Sequence, residues 1–236
     1  MNLSTLFITV VLINLFAYMS IRFRPILFKT KLFKPMIWNF KLSMLPMIIL
    51  LVTLSLVGIA ITIGNTYEIF WLFDVAIVLL LIGVVIWLIM LPNSGYLITE
   101  LNMTHRSEDG DLVPIWYDIV SVSSFAMSGI INTIANIAII QILMLVLIDP
   151  EVITQKNRIF LLISGFIINT LVAIGVYLGR QIRFNSWDLL HPKSFIKKLV
   201  NHFNSLQVFK EFVLFVFMHA SFFMIIYYAM GITRII

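Results

Sequence analysis

The chain has 236 residues, of which 61% are apolar and 11% charged, with a mean hydropathy of +1.06. Soluble domains sit near half apolar and a quarter charged, so this composition excludes an aqueous globular domain and assigns the chain to a bilayer. The formal charge of +5 points to topology and contact with anionic lipid rather than to nucleic acid, and the lack of cysteine excludes disulfides, thiolate nucleophiles and cysteine metal sites.

Six runs reach the ~20 apolar residues that a spanning helix needs. The first, Leu3 to Ile21, is expected to close at Arg22 and Arg24. With no basic leader and no small-residue cleavage site, it reads as a retained span, not a signal peptide. The second, Met44 to Ile63, is expected to open on Ser43 as N-cap with Pro46 in its first turn. The third, Trp71 to Leu91, is expected to stop at the turn signal Pro92-Asn93-Ser94-Gly95. The fourth lies within Ile115 to Ile148, a stretch too long for a simple span. It is expected either to break near Ser128-Gly129 or, preferably, to protrude, with 115–125 as a polar interfacial section. The fifth runs from Ile159 to Leu178 and the sixth from Phe212 to Ile232. Together they predict an all-α, polytopic bundle of six transmembrane helices, forming a single integral-membrane domain over residues 1–236.

Basic residues set the orientation. Loops 22–42, 92–114 and 179–211 carry thirteen Lys and Arg, against only Lys156, Arg158 and Arg234 on the other side. The positive-inside rule then predicts cytoplasmic basic loops and both termini outside. In 22–41 the cations alternate with Phe23, Phe28, Phe33, Trp38 and Phe40, and in 193–209 Phe195, Leu199, Phe203 and Leu206 recur at helical spacing beside Lys197 and Lys198. The second pattern predicts a basic amphipathic helix in the headgroup region. Topology and lipid anchoring explain both loops more simply than recognition of one lipid.

Two constellations of polar residues are candidate sites. At the cytoplasmic edge the topology gathers Asn93, Tyr96 and Glu100, then Trp116 and Asp118, then Arg180, Arg183, Asn185, Trp187 and Asp188. Arg180 and Arg183 share a helical face at i, i+3, which Trp187 joins if the helix continues. Such a face suits a phosphate or carboxylate, with the indole as a stacking surface. The simpler explanations are cations anchoring a helix C-terminus, Asp118 complementing a helix N-terminus after Pro114, and an Asn185–Asp188 capping box. Inside the bilayer, Ser121, Ser124, Ser128, Asn132 and Asn136 form one polar stripe, with Asn169 and His219 mid-span in the fifth and sixth helices. An intramembrane His is a functional candidate, but interhelical hydrogen bonding accounts for the set more economically. No phosphate-binding glycine loop, HExxH pair or GxSxG elbow occurs, and no metal site or cofactor is predicted. His105, His191 and His202 read as loop residues.

The segments Leu91 to Leu101 (with Pro92-Asn93-Ser94-Gly95-Tyr96 and Thr99-Glu100), Pro114-Ile115-Trp116-Tyr117-Asp118, and Tyr177-Leu178-Gly179-Arg180 through Asn185-Ser186-Trp187-Asp188 resemble a bacterial multi-pass membrane family. It is the one catalogued as domain-of-unknown-function family 1361. The resemblance runs from about the second span to the end of the chain. The chain departs from the family pattern in having Glu100 where Asp is usual and a His displaced to His105, Met103 standing nearer the expected place. The resemblance implies a protein of the bacterial plasma membrane and no activity.

A binding or scaffold protein is therefore the leading expectation. Its cytoplasmic site would take an anionic lipid headgroup, a small anion or a membrane-protein partner. The alternatives are an enzyme acting on a lipid-linked or headgroup substrate through Asp118, Asp188 or Glu100, and a transporter using Asn132, Asn136, Asn169 and His219.

Overall fold

The structure, a computed structural model, describes residues 3–102, 112–148, 155–184 and 191–232. Among the described residues every regular element is helical, and six helices are long and apolar enough to cross a membrane. The chain is a multi-pass membrane protein.

Helix α1 spans Leu3–Phe28 and contains Pro25. Arg22 and Arg24 do not close it as expected. Arg24 is buried against Asp118 and needs no water, so the helix runs on until Lys29 takes a left-handed φ of 54°. Helix α2, Lys34–Thr66, starts well before the expected cap at Ser43, with a proline in its first turn. Ser43 is buried mid-helix: its hydroxyl donates to the Phe40 carbonyl at 2.8 Å, and its own carbonyl accepts from Ser94 Oγ at 2.7 Å.

Helix α3, Trp71–Met90, was expected to stop at a Pro-Asn-Ser-Gly turn. Instead Pro92–Gly95 forms a further helical turn, α4, followed by a 3₁₀ stretch over Tyr96–Asn102. Proline is well suited to the first position of a helix, where its missing N–H has no partner to lose. Glycines on the neighbouring helices make room for this segment. A Cβ at Gly129 would sit 2.5 Å from the Ser94 carbonyl, and one at Gly175 would overlap the Pro92 ring.

Helix α5, Ile115–Ile148, is continuous. Its 34 residues are about 51 Å long against a bilayer core of about 30 Å. The section expected to be polar and interfacial is packed inside the bundle at Asp118, Ser121, Val122, Ser124 and Phe125, which are all buried. The extension of α1 to Phe28 covers this end. Of the most apolar window of α5, 72% is buried, against 17–33% in the other spans, so α5 is the mast of the bundle.

Helix α6 is Gln155–Gln181, α7 is Pro192–His202 and α8 is Leu206–Ala229. The single amphipathic helix expected over 193–209 is thus divided. It ends at His202, and Ser205 caps α8 by accepting from the Val208 N–H at 3.3 Å. Packing is by pairs, α2 on α3, α1 on α5 and α6 on α8, with the 92–102 segment wedged against α2, α5 and α6. The wedge positions the site.

Candidate functional site

The buried stripe of α5 is a hydrogen-bonding seam. Asn132 and Asn14 of α1 exchange amide hydrogen bonds at 2.6 and 3.0 Å, and the Ser121 and Ser20 hydroxyls meet at 2.9 Å. Trp87 Nε1 of α3 donates to Asn136 Oδ1 at 2.9 Å. Lower on α5, Gln141 donates to the Leu161 carbonyl of α6 at 2.8 Å and accepts from the Tyr227 hydroxyl of α8 at 2.8 Å. Ser124 and Ser128 donate within their own helix to the Ser121 and Phe125 carbonyls. In lipid such bonds hold helices together, because every alternative leaves a polar group in hydrocarbon. Asn169 donates to the Gly165 carbonyl at 2.9 Å, while its Oδ1 is buried without a partner among the described residues. His219 is half-buried, with Nδ1 2.9 Å from the Phe215 carbonyl and its ring stacked on Phe215 at 3.8 Å.

At the basic end, the residues expected to share one site divide into two places. Asp118 is fully buried and accepts from Arg24 Nε at 2.8 Å and Arg24 Nη2 at 3.4 Å, a two-pronged ion pair between α5 and α1. Beside it the Tyr117 hydroxyl donates to the Ser20 carbonyl at 2.7 Å. Trp116 is exposed, its ring edge-on to Tyr117. This is a seam between helices. The sequence signal for it was a buried-span Asp with a basic residue at the end of another span, but Arg24 was read as a topology signal.

The second place is a cleft of about 760 Å³, within the roughly 300–1,000 Å³ common for small-molecule sites. Trp38, Asn39 and Leu42 of α2 form one wall, and Ile89 of α3 with Pro92, Asn93 and Tyr96 of the wedge form the floor. The far wall is the end of α6, from Gly175 through Arg180 to Arg183 and Phe184, and Phe195 of α7 closes one side. Asn93, Tyr96, Arg180 and Arg183 thus come together, as the topology suggested. Glu100 stands behind them, buried, accepting from Asn39 Nδ2 at 2.6 Å. Asn185, Trp187 and Asp188 lie outside the described residues, as does His105.

The end of α6 explains where the arginines lie. The helix stops at Gln181, so the i, i+3 face expected for Arg180 and Arg183 does not continue. Arg183 takes a left-handed φ of 59°, a region disfavoured for a residue with a Cβ by about 1–2 kcal/mol. The turn is held because the Phe184 and Ile182 N–H groups both donate to the Leu178 carbonyl, at 3.1 and 3.3 Å. The Phe184 ring stacks on Phe195 at 4.4 Å, which docks α7 against the turn. Behind it, Tyr177 and His202 share a 2.8 Å hydrogen bond. Both arginines are exposed, and neither has an ion-pair or hydrogen-bond partner for its guanidinium among the described residues. Trp38, Asn39 and Phe195 are not among the expected site residues: the sequence marks Trp38 and Phe195 as parts of lipid-anchoring segments and carries no signal at Asn39.

Among the described residues no three His, Asp or Glu side chains converge in a metal-ligand group. A multi-pass helical bundle with a basic, aromatic-walled cleft at one membrane edge is the class that these features define. Within that class the chain belongs to the family described as Protein of unknown function (DUF1361), whose model matches residues 38–226. The matched stretch contains every residue that lines the cleft. No curated protein and no solved structure matches the chain.

Proposed function

We propose that this protein binds the anionic headgroup of a membrane lipid in the cleft between α2 and α6, on the cytoplasmic face of a bacterial plasma membrane. The observation that carries the reading is the pair of guanidiniums, Arg180 and Arg183, without a partner among the described residues, on the wall of a cleft at the membrane edge. Guanidinium groups hold phosphate through paired N–H donors. Trp38, Tyr96 and Phe195 supply flat apolar surface beside them, as suits a ligand that is part headgroup and part hydrocarbon. The cytoplasmic assignment rests on the excess of Lys and Arg in the loops at this end. Of the carboxylates that an enzyme reading would call on, Asp118 is engaged by Arg24 and Glu100 by Asn39, and Asp188 lies outside the described residues.

Native mass spectrometry of the purified protein with added phosphatidylglycerol or phosphatidylcholine tests the proposal. The wild type should retain the anionic lipid in preference. The Arg180→Ala/Arg183→Ala double variant should lose that preference, each phosphate-binding cation contributing about 1.5–3 kcal/mol or roughly ten-fold and more. Arg22→Ala, which removes an exposed cation from above the Tyr18 ring, should leave it unchanged. Equal retention of the two lipids by the wild type overturns the proposal.

A further inference from the structure

The cleft contains hydrogen-bond acceptors that the phosphate of a phosphodiester, which carries no O–H, has no means to use. The Asn39 amide nitrogen is committed to the Glu100 carboxylate at 2.6 Å. A carboxylate only accepts, so the amide orientation is fixed and Oδ1 is left as the other end. Asn93 directs one of its two amide N–H groups to the Met90 sulfur at 3.6 Å, which places its Oδ1 at the other end. Neither amide oxygen, nor the Tyr96 hydroxyl, receives a hydrogen bond from a described residue. The arginines on the opposite wall only donate. One wall of the cleft therefore offers only donors and positive charge, while the other side and floor are neutral and add acceptors.

The phosphate of a phosphodiester satisfies the first set but leaves the amide oxygens of the second without a donor. An ammonium headgroup supplies donors but brings a positive charge beside two guanidiniums. Hydroxyl groups next to a phosphodiester satisfy both sets. Leu42, Ile89 and Leu178 line the same cleft and give the hydrocarbon of a lipid an apolar path. We infer that the ligand is a phosphodiester lipid with a hydroxylated headgroup, its phosphate held by Arg180 and Arg183 and its hydroxyls donating to Asn39 and Asn93. This inference rests on the headgroup reading above and names the chemistry of that ligand.

The test compares lipids of equal charge by native mass-spectrometric titration of the full chain. Phosphatidylglycerol carries two headgroup hydroxyls, and phosphatidylethanol is the same phosphodiester with none. Wild type should bind phosphatidylglycerol about tenfold more tightly, the size expected when a buried acceptor is left unpaired. Asn93→Leu should bring the ratio close to one while leaving phosphatidylethanol affinity unchanged. Asn39→Leu should act likewise, and Asn93→Leu stands alone if loss of the Glu100 partner unfolds the Asn39 variant. Equal wild-type affinities, a ratio unmoved by Asn93→Leu, or tighter binding of phosphatidylethanolamine each overturn the hydroxyl assignment. Binding of deacylated glycerophosphoglycerol as tight as that of the lipid overturns the lipid source and leaves a soluble polyol phosphate. If Arg180→Ala/Arg183→Ala leaves both affinities unchanged, the headgroup reading itself fails.

Discussion

Arg24 and Arg183 are both cations at the end of a membrane helix, and packing uses them in opposite ways. Arg24 meets a carboxylate of another helix and is buried with it, whereas Arg183 lies in a strained turn with its guanidinium unengaged by any described residue. The sequence offers no local sign of the difference, since both follow an apolar run. It depends on Asp118 lying 94 residues away from Arg24. Removing one partner of a buried ion pair leaves the other charge stranded, at about 3–5 kcal/mol, while replacing both by apolar residues is often near neutral. Arg24→Gln and Asp118→Leu should therefore each lower the thermal unfolding midpoint in detergent strongly. The double variant Arg24→Met/Asp118→Leu should recover much of the loss. Losses that simply add in the double variant would show that the two residues do not act as a pair.

Helices, by contrast, were largely legible as runs. All six spans are present, because an apolar stretch of ~20 residues in lipid has no alternative that satisfies its backbone. Their ends were not legible. Arg24, Ser43 and Pro92 each look like a terminus, but tertiary partners remove the reason to stop: a carboxylate for Arg24, the Ser94 hydroxyl at the Ser43 carbonyl, and Gly175 beneath Pro92. Gly129, read as a possible break, is the point where α5 admits the wedge. Adding a methyl group there pushes against the backbone carbonyl of Ser94 at 2.5 Å, an atom with little room to yield. Gly129→Ala should destabilise by about 1–3 kcal/mol, as overpacking does. Gly58, in α2, has nothing within 4 Å of its notional Cβ, so Gly58→Ala should be neutral or stabilising by up to about 1 kcal/mol through helix propensity. Unfolding midpoints of the two variants in the same detergent distinguish close approach from propensity. Equal effects would mean that the 92–97 segment does not pack on α5 as described.

For the whole molecule, the cleft has meaning only if it opens to the compartment where its ligand is found. The walls are the start of α2, the end of α3 with the wedge, and the end of α6. All are at the end of the bundle to which the sequence assigns segments 22–42, 92–114 and 179–211, which carry thirteen of the sixteen Lys and Arg. Charge bias of this size in short loops orients insertion, so the cleft should face the cytoplasm. The chain has no cysteine, and single cysteines therefore report without background. Lys34, exposed at the start of α2, and Glu68, exposed in the α2–α3 turn, sit at opposite ends of one helix of 33 residues. A membrane-impermeant maleimide added to intact cells should label Glu68→Cys and leave Lys34→Cys unlabelled until the membrane is opened. Labelling of Lys34→Cys alone would invert the protein and set the cleft outside. Labelling of both in intact cells would mean that α2 does not cross, and the paired-helix arrangement that builds the cleft would fall with it.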